Sequence, residues 1–383
     1  MEEFAPYYFF IYWFVVMLIT ISKYNNMRSQ KGFAVISQRD DYTPLIIFSV
    51  LYVLFFGFRP ASPVFGDSYI YRSTYEVMQR YGVYFMHISN NGSVDVSNNA
   101  GSDWIYYSVM FLCAQVMSVN FFFVIVMFFY ITMMYQGCQK LDYKHGATLM
   151  LFCIGAFSFY GYSVNGLRNG IACSFIILAL ARFCRGEKLW PAILAFIALG
   201  CHKSVALPIA CALFTYYVKK PKYMYIAWAC SIVLSLLVGD YLSNLLTLLG
   251  YDDRLAANLQ SGADVVDSWG VEMESRFRWD LLLYSSVPIV LAWYAIFKRK
   301  VYNNTYLILL GTYMYANAFW VILIRSLFSN RFAYLSWFLY PIVLAYPLLN
   351  FPVFRRQHSK KTAWILLAHF GFTTMMWLLG RLG

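Results

Sequence analysis

The chain has 383 residues, of which 61% are hydrophobic, 20% are aromatic and only 13% are charged. A soluble domain carries roughly a quarter of charged residues, so the composition excludes an ordinary soluble enzyme. The apolar residues form runs of about 16–20 residues, close to the length that crosses a bilayer. Because lipid cannot satisfy backbone polar groups, these runs are predicted to be helices. The sequence therefore predicts an all-α, polytopic integral membrane protein.

The net charge of +12 would suggest nucleic-acid binding in a soluble chain. In a membrane protein the same excess is typical of basic cytoplasmic loops. The eight cysteines lie in or beside apolar runs and show no C-x-x-C spacing, as small core residues do. Metal-binding motifs such as D-x-D or H-E-x-x-H are absent from the sequence. We therefore expect no nucleic-acid partner, no metal and no cofactor.

About twelve transmembrane spans are predicted in chain order. They lie near 5–22, 43–58, 119–136, 146–163, 170–184, 189–201, 204–218, 223–239, 281–297, 306–323, 332–349 and 363–380. The first run follows an acidic start, M-E-E, rather than the basic region of a cleavable signal, so we expect it to be retained. The segment 103–118 is ambiguous: it is either a thirteenth span or a helix at, or dipping into, the outer surface.

The distribution of charge decides between these two options. If 103–118 does not cross, alternate loops hold nineteen of the 30 basic residues and only four of the 18 acidic ones. If it crosses, this pattern breaks at the next loop. The positive-inside rule thus favours the even number of spans, with both termini outside. We predict a single transmembrane domain over 1–383, whose two long outer loops, 59–103 and 240–280, contain helices and cover the outer face.

Several basic residues lie at predicted span ends on the outer face, where the positive-inside rule gives no reason for them. They are Arg59, Arg168, Lys203, Arg276, Arg278, Arg325 and Arg331. Each could extend to a lipid head group, but charges at membrane depth are functional candidates by default. Gly166 and Gly170 flank Arg168 and permit close backbone approach. Converging guanidinium groups would suit a lipid-linked phosphate or pyrophosphate and would stabilise pyrophosphate as a leaving group.

Two residues are candidates for acid–base chemistry on the same face. His202 lies in a tight outer turn between two predicted spans, and Asp67 lies in the first outer loop. Asp67 is either a base or an ion-pair partner of Arg72, and the alternative for His202 is a structural role. Tyr69 and Tyr71, together with Arg72, are candidates for sugar binding, because tyrosine offers a ring face and a hydroxyl.

Four short motifs occur in order along the chain. They are G-D-S-Y-I-Y at 66–71, G-L-R-N-G-I-A at 166–172, A-L-G-C-H-K-S-V-A-L-P at 198–208 and S-N-R-F-A-Y-L at 329–335. Their order resembles the EpsG-like branch of the Wzy-type polysaccharide polymerases, whose motifs are G-x-D-Y-x-x-Y, R-Q-x-[IL]-A, L-x-H-x-S-A and R-x-x-Y-[FL]. The chain departs from this pattern at Asn169, where glutamine is usual, at Ser68, where tyrosine is common, and at Lys203 beside the histidine.

The resemblance implies a GT-C-like helical glycosyltransferase of the bacterial inner membrane that joins undecaprenyl-pyrophosphate-linked repeat units on the periplasmic face. Its partners would be the lipid-linked donor and acceptor, membrane lipids and a chain-length regulator. Arg168 and Arg331 would hold the donor pyrophosphate, helped by other outer cations: Arg325, Arg276, Arg278 and Lys203. His202 is favoured as the base, with Asp67 positioning the acceptor beside Tyr69, Tyr71 and Arg72, although Asp67 as base stays open. A lipid-linked oligosaccharide flippase and a ligase-type glycosyltransferase are the alternatives.

Overall fold

The computed structural model describes residues 2–82, 87–88, 94–95, 103–248, 277–325 and 329–378. Most residues in these ranges are helical. Two strands of two residues each, β1 (His87–Ile88) and β2 (Val94–Asp95), pair in an antiparallel arrangement. The helices of the first half are α1 (Tyr8–Ser29), α2 (Ala34–Ser37), α3 (Thr43–Gly57), α4 (Asp67–Tyr81), α5 (Trp104–Ala114), α6 (Val119–Leu141), α7 (Gly146–Ile154), α8 (Phe157–Val164) and α9 (Leu167–Cys184). The prediction of an all-α membrane protein is confirmed.

The remaining helices follow the predicted apolar runs closely. They are α10 (Leu189–Cys201), α11 (Ala206–Tyr217), α12 (Pro221–Leu248), α13 (Trp279–Trp293), α14 (Asn304–Ile322), α15 (Ser329–Trp337), α16 (Tyr340–Asn350) and α17 (His358–Leu378). A π-helical turn, Tyr294–Lys298, extends α13, and non-helical angles at Val238 mark a kink in α12. Short 3₁₀ turns at Glu2–Tyr7, Pro63–Phe65 and Lys203–Val205 join other elements.

Seven helical segments among the described residues are long and apolar enough to cross a membrane. An eighth is possible if α7 and α8, which are bent by 71° at the break between them, form one broken span. Three predicted spans correspond to shorter helices, of 15 residues in α3, 13 in α10 and 12 in α11. The chain is thus a multi-pass membrane protein, and the count of twelve spans stays a prediction.

The ambiguous segment 103–118 forms the 11-residue helix α5. At 1.5 Å per residue, such a helix is about half the length needed to cross the roughly 30 Å hydrocarbon core. A single crossing by α5 alone is therefore excluded by length. The helix α4 lies within the first predicted loop, 59–103, and α5 directly follows that loop. Most of the second predicted loop, 240–280, lies outside the described residues.

The chain divides into two compact units, Met1–Ala206 with Ala345–Gly383, and Leu207–Leu344. In the first unit α9 lies against α6 and α10, and α1 lies against α17. Most side chains of α9 are buried, because it is surrounded by other helices of this unit. In the second unit α14 lies against α12 and α15. The prediction of a single domain stays a prediction.

Candidate functional site: the Asp103 centre

Asp103 is the meeting point of three segments of the first unit. Its Oδ2 accepts a hydrogen bond from Arg168 Nη1 at 2.6 Å and lies 3.2 Å from His202 Nδ1. Its Oδ1 accepts the backbone N–H of Lys203 at 3.1 Å. The carboxylate is 3% exposed, so these partners replace the water it would otherwise bind. We call Asp103, Arg168, His202 and the tyrosines described below the Asp103 centre.

Local structure explains why these three side chains can meet. Asp103 precedes α5 and Arg168 lies in the first turn of α9, so both come from helix starts. His202 is extended (φ −159°, ψ 116°) between α10 and the Lys203–Val205 turn. The Asp103 side chain makes no capping bond to α5; it turns instead to the cation of α9 and the amide of Lys203. Polar groups at these three helix ends can therefore contact one another, which the same groups within a helix could not do.

Two tyrosines complete the surroundings of Arg168. Its Nε donates to Tyr71 Oη at 2.9 Å, and its Nη1 donates to Tyr107 Oη at 3.2 Å. The guanidinium carbon lies 5.5 Å from the centroid of each ring, within the range of cation–π attraction. Burial raises the pKa of Tyr71 to about 12, so its hydroxyl stays protonated at neutral pH.

The electrostatics keep Asp103 ionised. Burial alone would raise the pKa of Asp103, because it penalises the charged form. The hydrogen bond and charge of His202, the charge of Arg168 and the Lys203 amide outweigh burial and lower the pKa below the ordinary range. One carboxylate is therefore shared by a permanent cation and an imidazole whose side chain is 20% exposed.

Asp67 lies close to this centre without joining it directly. It begins α4 one turn before Tyr71, and its backbone N–H donates to Asn165 Oδ1 at 2.9 Å. Gly66 makes this approach possible: its φ is +56°, and a Cβ there would lie 2.5 Å from Asn165 Oδ1. The start of α4 is thereby held against the turn that leads to Arg168. The negative charge of Asp67 also contributes to the raised pKa of the Tyr71 hydroxyl.

The predicted sugar-binding residues divide between two places. Tyr71 faces Arg168, whereas Tyr69 and Arg72 lie beside Arg59 on another face of α4. Residues two apart on a helix do not share a face, which explains the division. Arg72 Nη2 donates to Arg59 O at 3.0 Å and to Asn120 Oδ1 at 2.7 Å. An Arg72–Asp67 ion pair is not formed among the described residues.

Four other predicted pyrophosphate ligands are not part of the first unit. Arg278, Arg325 and Arg331 lie in the second unit, and Arg276 lies outside the described residues. Arg278 forms a two-bond ion pair with Asp280, at 3.0 and 2.8 Å, and Arg331 is exposed on α15. Their convergence with Arg168 in one chamber stays a prediction. Lys203 reaches the Asp103 centre through its backbone amide.

Sequence reasoning missed Asp103 and Tyr107. An acid immediately before an apolar helix is usually interpreted as a helix cap or a favourable partner of the helix dipole. The signal that could have identified Asp103 is the scarcity of acidic residues. The chain has only 18 of them, and Asp103 directly precedes an apolar helix. Tyr107 lies one turn further along that helix, which places it beside the same cation.

Long apolar helices, and a polar centre where α5 and α9 begin and α10 ends, define a polytopic helical membrane protein with a candidate acid–base site. A model of the EpsG family matches residues 42–381, so the chain belongs to the EpsG family, whose members are membrane proteins of the polysaccharide-polymerase type. The resemblance predicted from the four motifs is confirmed, and family membership supports a polymerase-like function. No curated protein and no solved structure matches the chain.

Proposed function

We propose that this protein joins undecaprenyl-pyrophosphate-linked oligosaccharide repeats into a bacterial surface polysaccharide. The reaction takes place on the periplasmic face of the inner membrane, without a metal, and the charge asymmetry of the loops supports a topology with both termini on that face. The observation that carries the proposal is the shared carboxylate of Asp103, which joins His202 to Arg168 at 3.2 and 2.6 Å. The family supplies the reaction class, and this centre supplies groups suited to it.

His202 is the general base in this mechanism. Ionised Asp103 accepts a hydrogen bond from Nδ1–H, which leaves the Nε2 lone pair to take a proton. The acceptor hydroxyl gives its proton to Nε2 while its oxygen bonds to the anomeric carbon of the donor sugar. Asp103 stabilises the imidazolium that forms, and a base of this kind contributes about 10²–10⁴-fold. Asp67 positions the acceptor at the start of α4.

The bond that breaks joins the anomeric carbon to the donor pyrophosphate, which leaves with the bonding electrons. Arg168 stabilises the charge that develops on the leaving group, since a guanidinium stays protonated when it is desolvated. Its bonds to Asp103, Tyr71 and Tyr107 fix the direction of its planar fork. Further cations share this work; they are Arg331, Arg325, Arg278, Arg276 and Lys203. The donor is the growing chain, and the acceptor is a second lipid-linked repeat.

Purified protein in detergent, supplied with lipid-linked repeats, tests the proposal directly. An enzyme lengthens the glycan without a second compartment. A flippase moves the lipid-linked repeat across a membrane and leaves the glycan at its original length. We expect Arg168→Ala and Arg331→Ala to abolish polymer in cells while single lipid-linked repeats accumulate. Arg80→Gln is the matched control, because Arg80 is exposed in the last turn of α4. Polymer of normal length in both alanine variants contradicts the proposal.

A further inference from the structure

Three hydrogen bonds tie the start of α4 to the turn between α8 and α9 and to the first turn of α9. They run from Ser68 Oγ to Val164 O, from the Asp67 amide to Asn165 Oδ1, and from Arg168 Nε to Tyr71 Oη. Ser68 and Tyr71 are three residues apart and therefore share one face of α4. We call these three bonds the α4–α9 contact. The orientation of Arg168 thus depends on how the start of α4 is held.

The Ser68 hydroxyl is oriented by Arg59, whose Nη2 donates to Ser68 Oγ at 2.8 Å. A guanidinium group has donors and no acceptor, and a serine hydroxyl has a single proton to donate. The Ser68 proton therefore cannot point to Arg59, and it is directed to Val164 O instead. Arg59 thus determines the direction of a hydrogen bond in which it takes no part.

Arg59 is itself held by three other elements of the first unit. Its Nη1 donates to Phe56 O in α3 at 2.6 Å, and its backbone carbonyl accepts from Arg72 Nη2 of α4 at 3.0 Å. Its guanidinium carbon lies 4.2 Å from the ring centroid of Phe123 in α6. Only 1% of the residue is exposed, so water cannot replace these contacts when one of them is lost.

A capping role alone does not account for the burial of Arg59. Its bond to Phe56 O satisfies one of the last carbonyls of α3, as basic residues often do at helix ends. That role needs one nitrogen, and the rest of the guanidinium could remain in solvent. Burying a cation against neutral acceptors is costly, yet Ser68 is only 4% exposed. The bond to Ser68 therefore distinguishes Arg59 from an ordinary helix cap.

Building on the proposed polymerase function, we propose that Arg59 is a positioning residue, which acts through Ser68 to fix the turn before Arg168 against the start of α4. Arg59 is too deeply buried to touch the substrate; it acts on the reaction through the orientation of Arg168. A displacement of about 1 Å in a group that stabilises a transition state can cost about 100-fold in rate. Loss of the link should therefore lower kcat more than it changes KM, because the affected interaction is made in the transition state.

The kinetics of purified full-length protein with lipid-linked repeats test the positioning role. Ser68→Ala removes the hydroxyl and leaves the bond from Arg59 to Phe56 O in place. We expect it to lower kcat about 10- to 100-fold and to leave KM within about threefold. Arg59→Gln should act in the same direction, and the double variant should lose no more than the worse single variant, because both changes remove one link. Ser62→Ala is the matched control: Ser62 is also buried and accepts the Val64 amide at 3.4 Å, so kcat should be unchanged.

Amide hydrogen exchange, followed by mass spectrometry, tests the same link without any glycan synthesis. We expect Ser68→Ala and Arg59→Gln to speed exchange in the segment 163–168 about tenfold, as for the loss of one buried hydrogen bond. Ser62→Ala should leave exchange in that segment unchanged. If Arg59 only capped α3, its substitution would speed exchange at 54–58, the end of that helix, and would not affect 163–168.

Two results overturn the proposal: Ser68→Ala keeps the kcat of the unchanged protein, or exchange in 163–168 stays the same in both Ser68→Ala and Arg59→Gln. Losses in kcat that multiply in the double variant also contradict it, because the two residues would then act separately. Failure of the polymerase proposal looks different. A protein that shows the coupled exchange but never lengthens a lipid-linked glycan contradicts the polymerase and leaves the link intact. A protein that lengthens glycans without the coupled exchange contradicts the positioning role alone.

Discussion

Arg168 of the Asp103 centre and Arg59, which follows α3, differ in one respect. Arg59 is 1% exposed and the Arg168 side chain 16% exposed, and both lie beside aromatic rings. Arg168 has a carboxylate at 2.6 Å, whereas the described partners of Arg59 are neutral. Arg168 is therefore neutralised by an ion pair close to His202, whereas Arg59 is held by neutral acceptors and by the ring of Phe123. A cation in an ion pair beside an imidazole is suited to chemistry, and a sealed one to holding helix ends together.

The largest expected effect concerns the base of the Asp103 centre. We expect His202→Ala to lower the rate of glycan lengthening by about 10²–10⁴-fold, because the proton acceptor is lost. Binding of lipid-linked substrate should be largely kept, since His202 takes part in the proton transfer. The measurement is turnover of purified protein alongside substrate binding. Turnover within about tenfold of the unchanged protein, combined with a larger loss in Asp67→Ala, would make Asp67 the base.

The next effect concerns the stability of the ion pair. Asp103→Ala should lower the free energy of unfolding by about 3–5 kcal/mol, because Arg168 is left buried without its carboxylate. Glu187→Ala is the matched control: Glu187 also contacts two cations, Lys140 and Arg182, but its side chain is 30% exposed. An exposed pair of this kind should cost less than about 1 kcal/mol. Equal losses in thermal or denaturant unfolding would show that Asp103 is not an essential counter-ion.

The smallest effect concerns two glycines at which helices approach each other closely. A Cβ on Gly170 would lie 2.6 Å from Tyr162 O, and one on Gly57 would lie 2.7 Å from Val124 Cα. Each alanine substitution should lower the free energy of unfolding by about 1–3 kcal/mol through overpacking. We expect Gly170→Ala to impair turnover as well, since it displaces Arg168, and Gly57→Ala to affect stability alone.

Gly371→Ala is the control for this pair of substitutions. Gly371 lies within α17 with no atom near its missing side chain, so alanine should raise stability by up to about 1 kcal/mol through helix propensity. If Gly170→Ala and Gly57→Ala also raise stability, close helix contact at these glycines is not required for the fold. Thermal unfolding of the three variants in one detergent decides this.

Part of the candidate site was predictable from sequence. Arg168 and His202 attracted attention because they lie at the ends of apolar runs, where a charge or imidazole is rare and costly. Their connection was not predictable, since Asp103 is separated by 65 residues from Arg168 and by 99 from His202. An acid before a helix gives no local sign of which distant cation it will meet. The two faces of α4 were likewise merged into one sugar-binding loop.

The sequence by itself determined where the helices lie. The span predicted at 189–201 matches α10, and the one at 119–136 begins with α6, because hydrophobic runs and backbone satisfaction in lipid are local constraints. The tertiary structure alone decided which helix ends meet, how many helices are long enough to cross, and where α7 and α8 break. Those features depend on contacts between residues far apart in the chain. Local hydropathy carries no record of such contacts, so only the folded chain could bring Asp103 to Arg168 and leave Arg59 without a carboxylate partner among the described residues.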